Sequence, residues 1–399
     1  MVAERFLFNQ SCGMSTTTLT SELKHDAREL GFDLVGVCAA VTPTGLHHLH
    51  EWLAAGYAGE MHYFADRLAA YEHPRHVLDG ARSVVMLAMN YRTADPVAAG
   101  PSQGKVARYA WNVDYHDLIR TQLNALADRL RARQPAALVR GVVDTAPLLE
   151  REFAQLAGLG WIGKNTLLLN KQVGSWFLLA ALLTDLELDY DKPHEADHCG
   201  TCRACLDACP TDAFLAPYQL DPRRCISYLT IELKGSIPGE LRSPLGEWLF
   251  GCDVCQEVCP WNHRAPRASQ AAFQAREGMN PLELAPLFFL NDDEFRARFR
   301  RTPLWRPKRR GLLRNAAIVL GNAGRREPPA PEVLAALTAG LGDSEPLVRA
   351  AAAWALGECA RGSAMPIAAT IREQLQQRLE IDENAEVRSE LAACLKRQE

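Results

Sequence analysis

The sequence CGTCRACLDACP, at residues 199–210, decides how the middle of the chain folds. Its four cysteines follow the spacing Cys-x2-Cys-x2-Cys-x3-Cys-Pro, in which a short loop wraps three corners of a cubic 4Fe–4S cluster. A second block, CDVCQEVCP at residues 252–260, has a shortened form of the pattern, and Cys225 lies between the two blocks. Eight cysteines match the demand of two clusters at four thiolates each. Residues 196–265 are therefore predicted to bind two 4Fe–4S clusters.

The same spacing occurs in bacterial ferredoxins, where the fourth cysteine of the run binds the other cluster. We therefore predict a ferredoxin-like domain with crossed ligand sets. The first cluster is assigned Cys199, Cys202, Cys205 and Cys259, and the second is assigned Cys209, Cys225, Cys252 and Cys255. Structural zinc is the alternative, but zinc sites usually contain two separate Cys-x2-Cys pairs. Three cysteines within seven residues favour iron–sulfur clusters.

Composition indicates a globular protein and limits its partners. Hydrophobic residues make up 48% of the 399 residues and charged residues 23%, which are values typical of folded domains. The net charge of −4 excludes a protein that coats nucleic acid without selectivity, although one local basic patch could still hold a nucleic-acid substrate. The sequence contains no run of about 18 apolar residues, so we predict no membrane span.

The N-terminal sequence does not resemble a secretory signal, because its apolar run covers only residues 6–8. Residues 1–19 are predicted to be an N-terminal extension, within which Met14 offers a second start. Eight of the twelve cysteines lie between Cys199 and Cys259, and such clustering indicates metal binding rather than disulfides. The protein is expected to be cytoplasmic.

Residues 20–195 are predicted to form one mixed domain of helices and strands. Helical spacing of apolar residues occurs at 21–30 and 117–131, and β-rich runs occur at 32–39, 83–91, 138–144 and 176–184. Because strands and helices do not alternate strictly, the pattern favours the α+β class over a doubly wound parallel sheet.

The C-terminal residues 310–399 contain an internal repeat. The segments LLRNAAIVLGNAG, LVRAAAAWALGEC and EVRSELAACLKRQ align their arginines, Arg314, Arg349 and Arg388, at spacings of 35 and 39 residues. Alanine-rich helices at this period indicate HEAT-like repeats, with an ordinary helical cap as the alternative. Residues 266–309 are predicted to be a basic linker, since residues 296–314 contain nine Lys or Arg and no Asp or Glu.

Four stretches carry a resemblance to a known family. They are RYAWNVDYH (108–116), VDTAPLLEREFAQLAGLGWIGKNTLLLN (143–170), RRCISYLTIE (223–232) and FGCDVCQEVCPWN (250–262). With them the chain resembles the epoxyqueuosine reductases, cobalamin-dependent enzymes of tRNA queuosine synthesis. The resemblance implies a nitroreductase-like cobalamin-binding domain at 20–195, with cobalamin and two 4Fe–4S clusters as cofactors. It also implies a monomer that acts on tRNA with electrons from an external donor.

The resemblance assigns roles to individual residues. Asp144 follows an apolar strand, where a carboxylate either caps the next helix or acts as a general acid with a raised pKa. In the family this aspartate is the proposed proton donor to the epoxide oxygen and contacts cobalamin. Lys164, Leu168 and Ser227 are carried over as further cobalamin contacts, Leu168 through its backbone. His116 is interpreted as a structural, hydrogen-bonded residue rather than a cobalt ligand.

Contact with tRNA requires a local basic surface. The basic stretch and the repeated arginines predict such contacts at Arg309, Arg310, Arg314 and Arg349. Two other functions remain open at this point. One is a reductive dehalogenase-like reductase of a small molecule, and the other is an electron carrier with a tRNA-docking tail and no chemistry of its own.

Overall fold

The computed structural model describes residues 16–397 of the chain. None of the helices in this part is long and apolar enough to cross a membrane. The strands are β1 (Leu34–Ala39), β2 (Ser83–Asn90), β3 (Gln103–Val106), β4 (Val139–Val142), β5 (Trp161–Ile162), β6 (Leu168–Leu169), β7 (Phe177–Thr184), β8 (Phe214–Ala216), β9 (Gln219–Leu220), β10 (Trp248–Phe250) and β11 (Leu282–Glu283).

Helices predominate after residue 285. The α-helices are α1 (Thr16–Glu29), α2 (Leu46–Ala54), α3 (Tyr63–Asp66), α4 (Tyr115–Arg133), α5 (Glu150–Leu156), α6 (Ala204–Asp207), α7 (Ile226–Ile231), α8 (Gly239–Arg242), α9 (Val254–Glu257), α10 (Asp292–Phe299), α11 (Lys308–Arg326), α12 (Pro331–Leu341), α13 (Pro346–Arg361), α14 (Met365–Ile381) and α15 (Ala385–Lys396). Short 3-10 helices connect several of them.

A four-stranded antiparallel sheet with the order β1-β2-β7-β4 forms the centre of the N-terminal domain. Strands β2 and β7 pair along their full lengths, from Ser83 opposite Thr184 to Asn90 opposite Phe177. Every residue of β2 is buried, because α1 and α4 cover one face of the sheet and α5 covers the other. The antiparallel order and the helices on both faces confirm the predicted α+β class.

Helix α1 begins at Thr16, so the predicted N-terminal extension of residues 1–19 is too long. Leu19 and Leu23 are buried on the face that packs against α4. Thr20 also accepts a hydrogen bond from the backbone amide of Asp189 at 3.0 Å. Residues 1–15, with Met14 and Cys12, lie outside the described residues.

The predicted domains interlock through a second sheet, in which β3 lies between β10 and β11. Strand β3 belongs to the N-terminal domain, β10 to the cysteine region and β11 to the segment predicted as a linker. Lys105 lies opposite Trp248, and Gly104 lies opposite Leu282. Gly104 is required at this crossing, because a Cβ there would come within 2.9 Å of the Leu249 side chain.

The predicted basic linker is a folded part of the molecule. Asn291 and Glu294 form a capping box at the start of α10, which fixes where this helix begins. Phe295 and Phe299 on α10 are buried in the same core as α11. The interpretation of residues 266–309 as a linker is therefore wrong, because their apolar side chains supply part of the core.

The C-terminal helices stack in two layers, which confirms the HEAT-like repeats. Helices α11, α13 and α15 pack side by side, and α12 and α14 lie outside them. Small residues allow close approach within the inner layer: a Cβ on Gly321 would lie 2.8 Å from the backbone of Ala355. This spacing explains why the repeated segments are rich in Ala and Gly.

Candidate functional site

The predicted acid, Asp144, lies just beyond the end of β4. Its backbone has a φ of 54°, in the left-handed region that non-glycine residues adopt at a cost. The Asp144 amide donates a hydrogen bond to Glu150 at 3.1 Å, and Arg67 donates to the Thr145 carbonyl at 2.8 Å. These bonds hold the turn, and the Asp144 side chain remains 47% exposed. The carboxylate therefore faces open space where a substrate could reach it.

The first turn of α4 supplies the partners of this carboxylate. Asp114 caps the helix by accepting a hydrogen bond from the His116 amide at 3.0 Å. This cap directs the next two side chains toward Asp144: Tyr115 Oη donates to Asp144 Oδ2, and His116 Nε2 lies 3.3 Å from the same oxygen. His116 Nδ1 lies 2.6 Å from Asp114 Oδ1. The imidazole therefore bridges two carboxylates.

This arrangement places a proton on His116 rather than on Asp144. Burial alone would lower the pKa of His116, but its hydrogen bonds with Asp114 and Asp144 raise that pKa to about 9. Burial alone would raise the pKa of Asp144, but hydrogen bonds from His116 and Tyr115 outweigh it and lower that pKa. The prediction that Asp144 has a raised pKa is therefore wrong. The interpretation of His116 as a structural residue missed that His116 carries the proton of this site.

Glu150 adds a second protonated group to the site. Burial, together with the negative charge of nearby Asp144, raises the pKa of Glu150 to about 8. Glu150 is thus largely neutral near pH 7, while its backbone-facing oxygen still accepts the Asp144 amide. The neighbouring Arg151 donates to the Thr166 carbonyl at 2.8 Å and lies close to Asp144.

The cysteines assigned to the first cluster surround one cavity of about 260 Å³. Cys199, Cys202, Cys205 and Cys259 all line it, together with Lys164, Leu169, His198 and Trp261. Four thiols around one cavity match the ligand number and the ligand type of a 4Fe–4S cluster.

The cysteines assigned to the second cluster lie deeper. Burial raises the pKa of the Cys252 and Cys255 thiols, and neighbouring Cys225 raises both further. Cys209 also raises the pKa of the Cys255 thiol, so all four side chains lie close together. Thiols with such raised pKa values ionise only when a metal neutralises them, which fits a second cluster.

The two cysteine sets adjoin each other, and the second lies near Arg151. Cys202, in the first set, is exposed. Cys205 of the first set acts on the pKa of Cys255 in the second, so the two sets adjoin. Cys255 and Asp144 both act on the pKa of Arg151. With clusters bound, the two sets would form a path for electrons from the exposed set through the buried set.

We expect purified protein to contain about eight irons, four for each cluster, because both cysteine sets converge as described. The measurement is iron and zinc analysis of protein prepared without oxygen. A content of four irons or fewer, with stoichiometric zinc, would contradict the assignment of two clusters.

The residues predicted to contact cobalamin lie around this path. Lys164 Nζ donates to the carbonyls of Gly200 and Cys202, at 2.5 and 2.9 Å, and so anchors the loop of the first cysteine set. Leu168 is buried in β6, opposite Ile162. Ser227 lies in α7, and its amide donates to the Cys225 sulfur. Lys164 therefore has a structural function that the sequence did not reveal.

Three of the four arginines predicted to bind tRNA instead form hydrogen bonds or ion pairs with other residues of the protein. Arg314 is 1% exposed and donates to the carbonyls of Leu229, Leu233 and Gly235, so the prediction of a tRNA contact at Arg314 is wrong. Arg349 pairs with buried Asp382 at 2.7 Å, and Arg309 pairs with Asp343 at 2.7 Å. Only Arg310 of the four is exposed.

A different set of basic residues lies near the first turn of α4, which carries Tyr115 and His116. The Asp114 amide donates to the carbonyl of Arg301 at 2.9 Å, which joins the end of α10 to the start of α4. Arg296, Arg300 and Arg301 are exposed there. Arg306 follows and pairs with Glu232 at 3.1 Å. The exposed arginines of residues 296–306, here called the basic rim, therefore border the candidate site.

Comparison with protein families matches three parts of the chain. Residues 72–145 match the family described as epoxyqueuosine reductase QueG, DUF1730. Residues 198–262 match a 4Fe-4S double cluster binding domain, and residues 310–358 match a HEAT-like repeat. The second match confirms the two predicted clusters.

Comparison with characterised and solved proteins extends the likeness to nearly the whole chain. The epoxyqueuosine reductase of Pseudomonas aeruginosa is 46% identical over 342 residues, which cover 85% of this chain and 94% of that protein. That of Escherichia coli is 39% identical, covering 85% of this chain and 89% of its own length. A crystal structure of epoxyqueuosine reductase with an epoxyqueuosine-modified tRNA-Tyr stem loop has a TM-score of 0.86 and 30% identity, covering 96% of this chain and 99% of the other. The chain belongs to the epoxyqueuosine reductase family.

Proposed function

We propose that this protein reduces the epoxide of epoxyqueuosine in tRNA to the alkene of queuosine. The observation that carries the proposal is the hydrogen-bonded group of Tyr115, His116 and Asp144, which shares the neighbour Arg151 with Cys255 of the second cysteine set. The activity of the epoxyqueuosine reductases that the chain resembles, and the solved complex of one relative with a modified tRNA stem loop, support it. The direct test is anaerobic incubation of protein, cobalamin and reductant with epoxyqueuosine-containing tRNA. Mass analysis of the nucleosides should show loss of one oxygen atom, and an unchanged nucleoside would contradict the proposal.

The reaction sets the tasks of the residues. Conversion of an epoxide to an alkene and water consumes two electrons and two protons. Cobalamin, when bound, supplies the strongly reducing metal centre that acts on the epoxide, and the two clusters supply its electrons. Asp144, Leu168 and Ser227 are the residues of this chain proposed to hold it. They fit because Ser227 adjoins the second cysteine set and Asp144 faces open space near it.

Two residues of the site can supply the two protons of the reaction. His116 is an imidazolium at neutral pH, and Glu150 is largely a neutral acid. Asp144 lies between them and accepts hydrogen bonds from Tyr115 and His116. We propose that Asp144 passes the His116 proton to the oxygen released by epoxide opening. Glu150 can then reprotonate the group before the oxygen leaves as water.

A solved Bacillus subtilis relative, 29% identical with a TM-score of 0.85, has its catalytic aspartate loop swung out of the active site. This supports a loop that moves during turnover.

Activity is expected to fall as the pH rises through about 9, because His116 loses its proton there. In His116→Gln the amide still donates to Asp144, so Asp144 stays in place but the proton store is lost. We expect kcat/KM at pH 7 to fall roughly tenfold or more. The decline through about pH 9 should disappear, while the decline through about pH 8, which comes from Glu150, should remain. His76→Gln, which replaces an exposed histidine that contacts the Ala69 carbonyl and not Asp144, is the control. A full alkaline decline in His116→Gln would assign that titration to another group.

The basic rim is proposed to hold the tRNA backbone. Arg296, Arg300 and Arg301 are exposed beside α4, where a wobble base placed at Asp144 would bring the flanking phosphates. Arginine neutralises phosphates by direct contact and releases bound counterions. This assignment replaces the predicted contacts at Arg314 and Arg349, and it keeps Arg310 as an outer contact.

We expect the double variant Arg300→Ala/Arg301→Ala to bind tRNA at least tenfold more weakly at about 0.1 M salt, and the slope of log affinity against log salt to fall by about 1.4 to 1.8. Iron content should not change. The matched control is Arg325→Ala/Arg326→Ala, which removes two exposed charges at the far end of α11. Equal loss of binding in both variants would indicate a nonspecific charge effect and contradict a specific rim.

A small-molecule reductase would not need a basic rim at its site, and nothing in the described residues favours that alternative.

We further propose that the protein is cytoplasmic, where its tRNA substrate is found. We also propose that it acts as a monomer and takes electrons from an external donor at the exposed first cysteine set.

A further inference from the structure

The hairpin formed by β8 and β9 presents adjacent apolar residues to solvent. Residues 215–218, with the sequence LAPY, are all exposed, and Leu215 and Tyr218 are 49% and 46% exposed. Single exposed apolar residues are common, but several together on a surface mark a site of contact with a partner. We call residues 215–218 the apolar tip.

Tyr218 adopts a backbone conformation that its residue type disfavours. It follows Pro217 in the two-residue turn between β8 and β9, and its φ is 68°. Glycine or asparagine usually occupies such a turn position, because other side chains are strained at positive φ. The hairpin therefore keeps an exposed tyrosine at a cost in backbone energy, which indicates that the ring has a function at the surface.

Hydrogen bonds fix this tyrosine beside the first cysteine set. The Tyr218 amide donates to the carbonyl of Lys164 at 3.0 Å, and Lys164 Nζ donates to the carbonyl of Cys202 at 2.9 Å. Tyr218 Oη donates to Asp197, which also accepts a hydrogen bond from the Cys199 amide at 2.8 Å. The apolar tip is thus attached to the segment that carries exposed Cys202.

The side chain of Tyr218 also lies close to the cysteines themselves. Partial burial and the hydrogen bond to Asp197 raise the pKa of the Tyr218 hydroxyl, and the charges of Cys199 and Cys205 raise it further. A molecule that covers the apolar tip would therefore lie beside the first cluster. Residues 211–221 contain no Lys or Arg, so the tip lacks the charge that binds a phosphate backbone.

We propose that the apolar tip is the docking surface for a one-electron carrier protein that reduces the first cluster. Electron-transfer complexes between proteins have small interfaces, so a few apolar residues beside a cluster are enough. Each docking oxidises the carrier by one electron and reduces the first cluster by one electron, and two dockings supply the two electrons of the reaction. The inference rests on the proposed function only in its need for an external electron donor.

The test measures how fast two reductants bleach the cluster absorbance of the full-length protein in anaerobic stopped flow. One reductant is a reduced flavodoxin or ferredoxin, whichever reduces the unmodified protein faster, and the other is reduced methyl viologen. In Leu215→Ser/Tyr218→Gly the second-order rate constant with the carrier protein should fall about tenfold or more, because the apolar contact is lost. Methyl viologen is too small to need a docking surface, so its rate constant should stay near that of the unmodified protein.

Two controls separate docking from folding. Glycine adopts a positive φ without strain, which offsets the lost hydrogen bond to Asp197, so Tyr218→Gly should keep full iron and a near-normal melting temperature. Met365→Ser/Ile381→Ser removes two exposed apolar side chains at the ends of α14, in the C-terminal repeats. This matched variant should leave both rate constants unchanged.

Four outcomes would overturn the proposal. They are an unchanged rate with the carrier protein in the double variant, equal slowing with both reductants, equal slowing in the α14 control, and no reduction of the unmodified protein by either carrier. Affinity for tRNA should not change, and weaker tRNA binding with normal reduction by the carrier would assign the apolar tip to tRNA instead. The reduction measurements need neither cobalamin nor tRNA, so their result is independent of whether the protein reduces the epoxide.

Discussion

Replacement of Asp144 by asparagine is expected to lower turnover of the epoxide about 10²-fold or more, with both clusters and cobalamin binding retained. The amide keeps the shape of the carboxylate but cannot carry a proton from His116 to the substrate. The backbone should also be unaffected, because asparagine tolerates the left-handed conformation found at this position. The measurement is single-turnover reduction with chemical reductant in excess, so that electron supply does not limit the rate.

The control for Asp144→Asn is Asp117→Asn, in the same first turn of α4 as Tyr115 and His116. Asp117 is 76% exposed and pairs with Arg120 rather than with the site. Its substitution should leave turnover near that of the unmodified protein. Asp144→Ala should be at least as inactive as Asp144→Asn and less stable, since alanine adopts a positive φ less readily. Near-normal turnover in Asp144→Asn would show that water or another group supplies the proton.

Cys209→Ala is expected to abolish turnover by removing the second cluster while the first remains. Cys209 belongs to the sequence run of the first block, but its side chain lies with those of Cys225, Cys252 and Cys255. Iron should fall from about eight to about four atoms, and the spectrum of the first cluster should persist. Without the buried cluster, electrons cannot pass from the surface to the site.

The control for Cys209→Ala is Cys38→Ala, which removes a buried thiol in the N-terminal core, remote from both cysteine sets. This variant should keep all iron and most activity, at some cost in thermal stability. Loss of the first cluster in Cys209→Ala, with the second retained, would reverse the crossed ligand assignment.

Local spacing was enough to predict two 4Fe–4S clusters, because a cluster loop depends on residues close in sequence. The repeats were predictable for the same reason, since α11, α13 and α15 repeat one packing pattern. The repeated arginines were misinterpreted: Arg314 and Arg349 recur because they bind carbonyls and Asp382 within the fold, so periodicity indicated structure rather than a binding surface.

The chemistry at Asp144 could be predicted only in part. Its position at a strand end was visible in the sequence, but its pKa depends on Tyr115 and His116, which precede it by nearly thirty residues. The Asp-Tyr-His sequence at 114–116 was the available signal, since an N-cap aspartate places the next two side chains on the helix start. The contact of Tyr115 and His116 with Asp144 forms only in the tertiary structure and could not be predicted from this segment.

The sheet of β10, β3 and β11 bears on how the protein can be divided in the laboratory. Its middle strand comes from one predicted domain and its outer strands from two others. Arg314, on the first repeat helix, binds three carbonyls that follow the Cys225 segment. The iron–sulfur region therefore cannot be moved into another protein as a separate domain. Cutting the chain near residue 196, 265 or 310 would leave strand edges without partners, or backbone carbonyls without hydrogen bonds, on both fragments. Functions assigned to its parts should be tested with point substitutions in the intact chain.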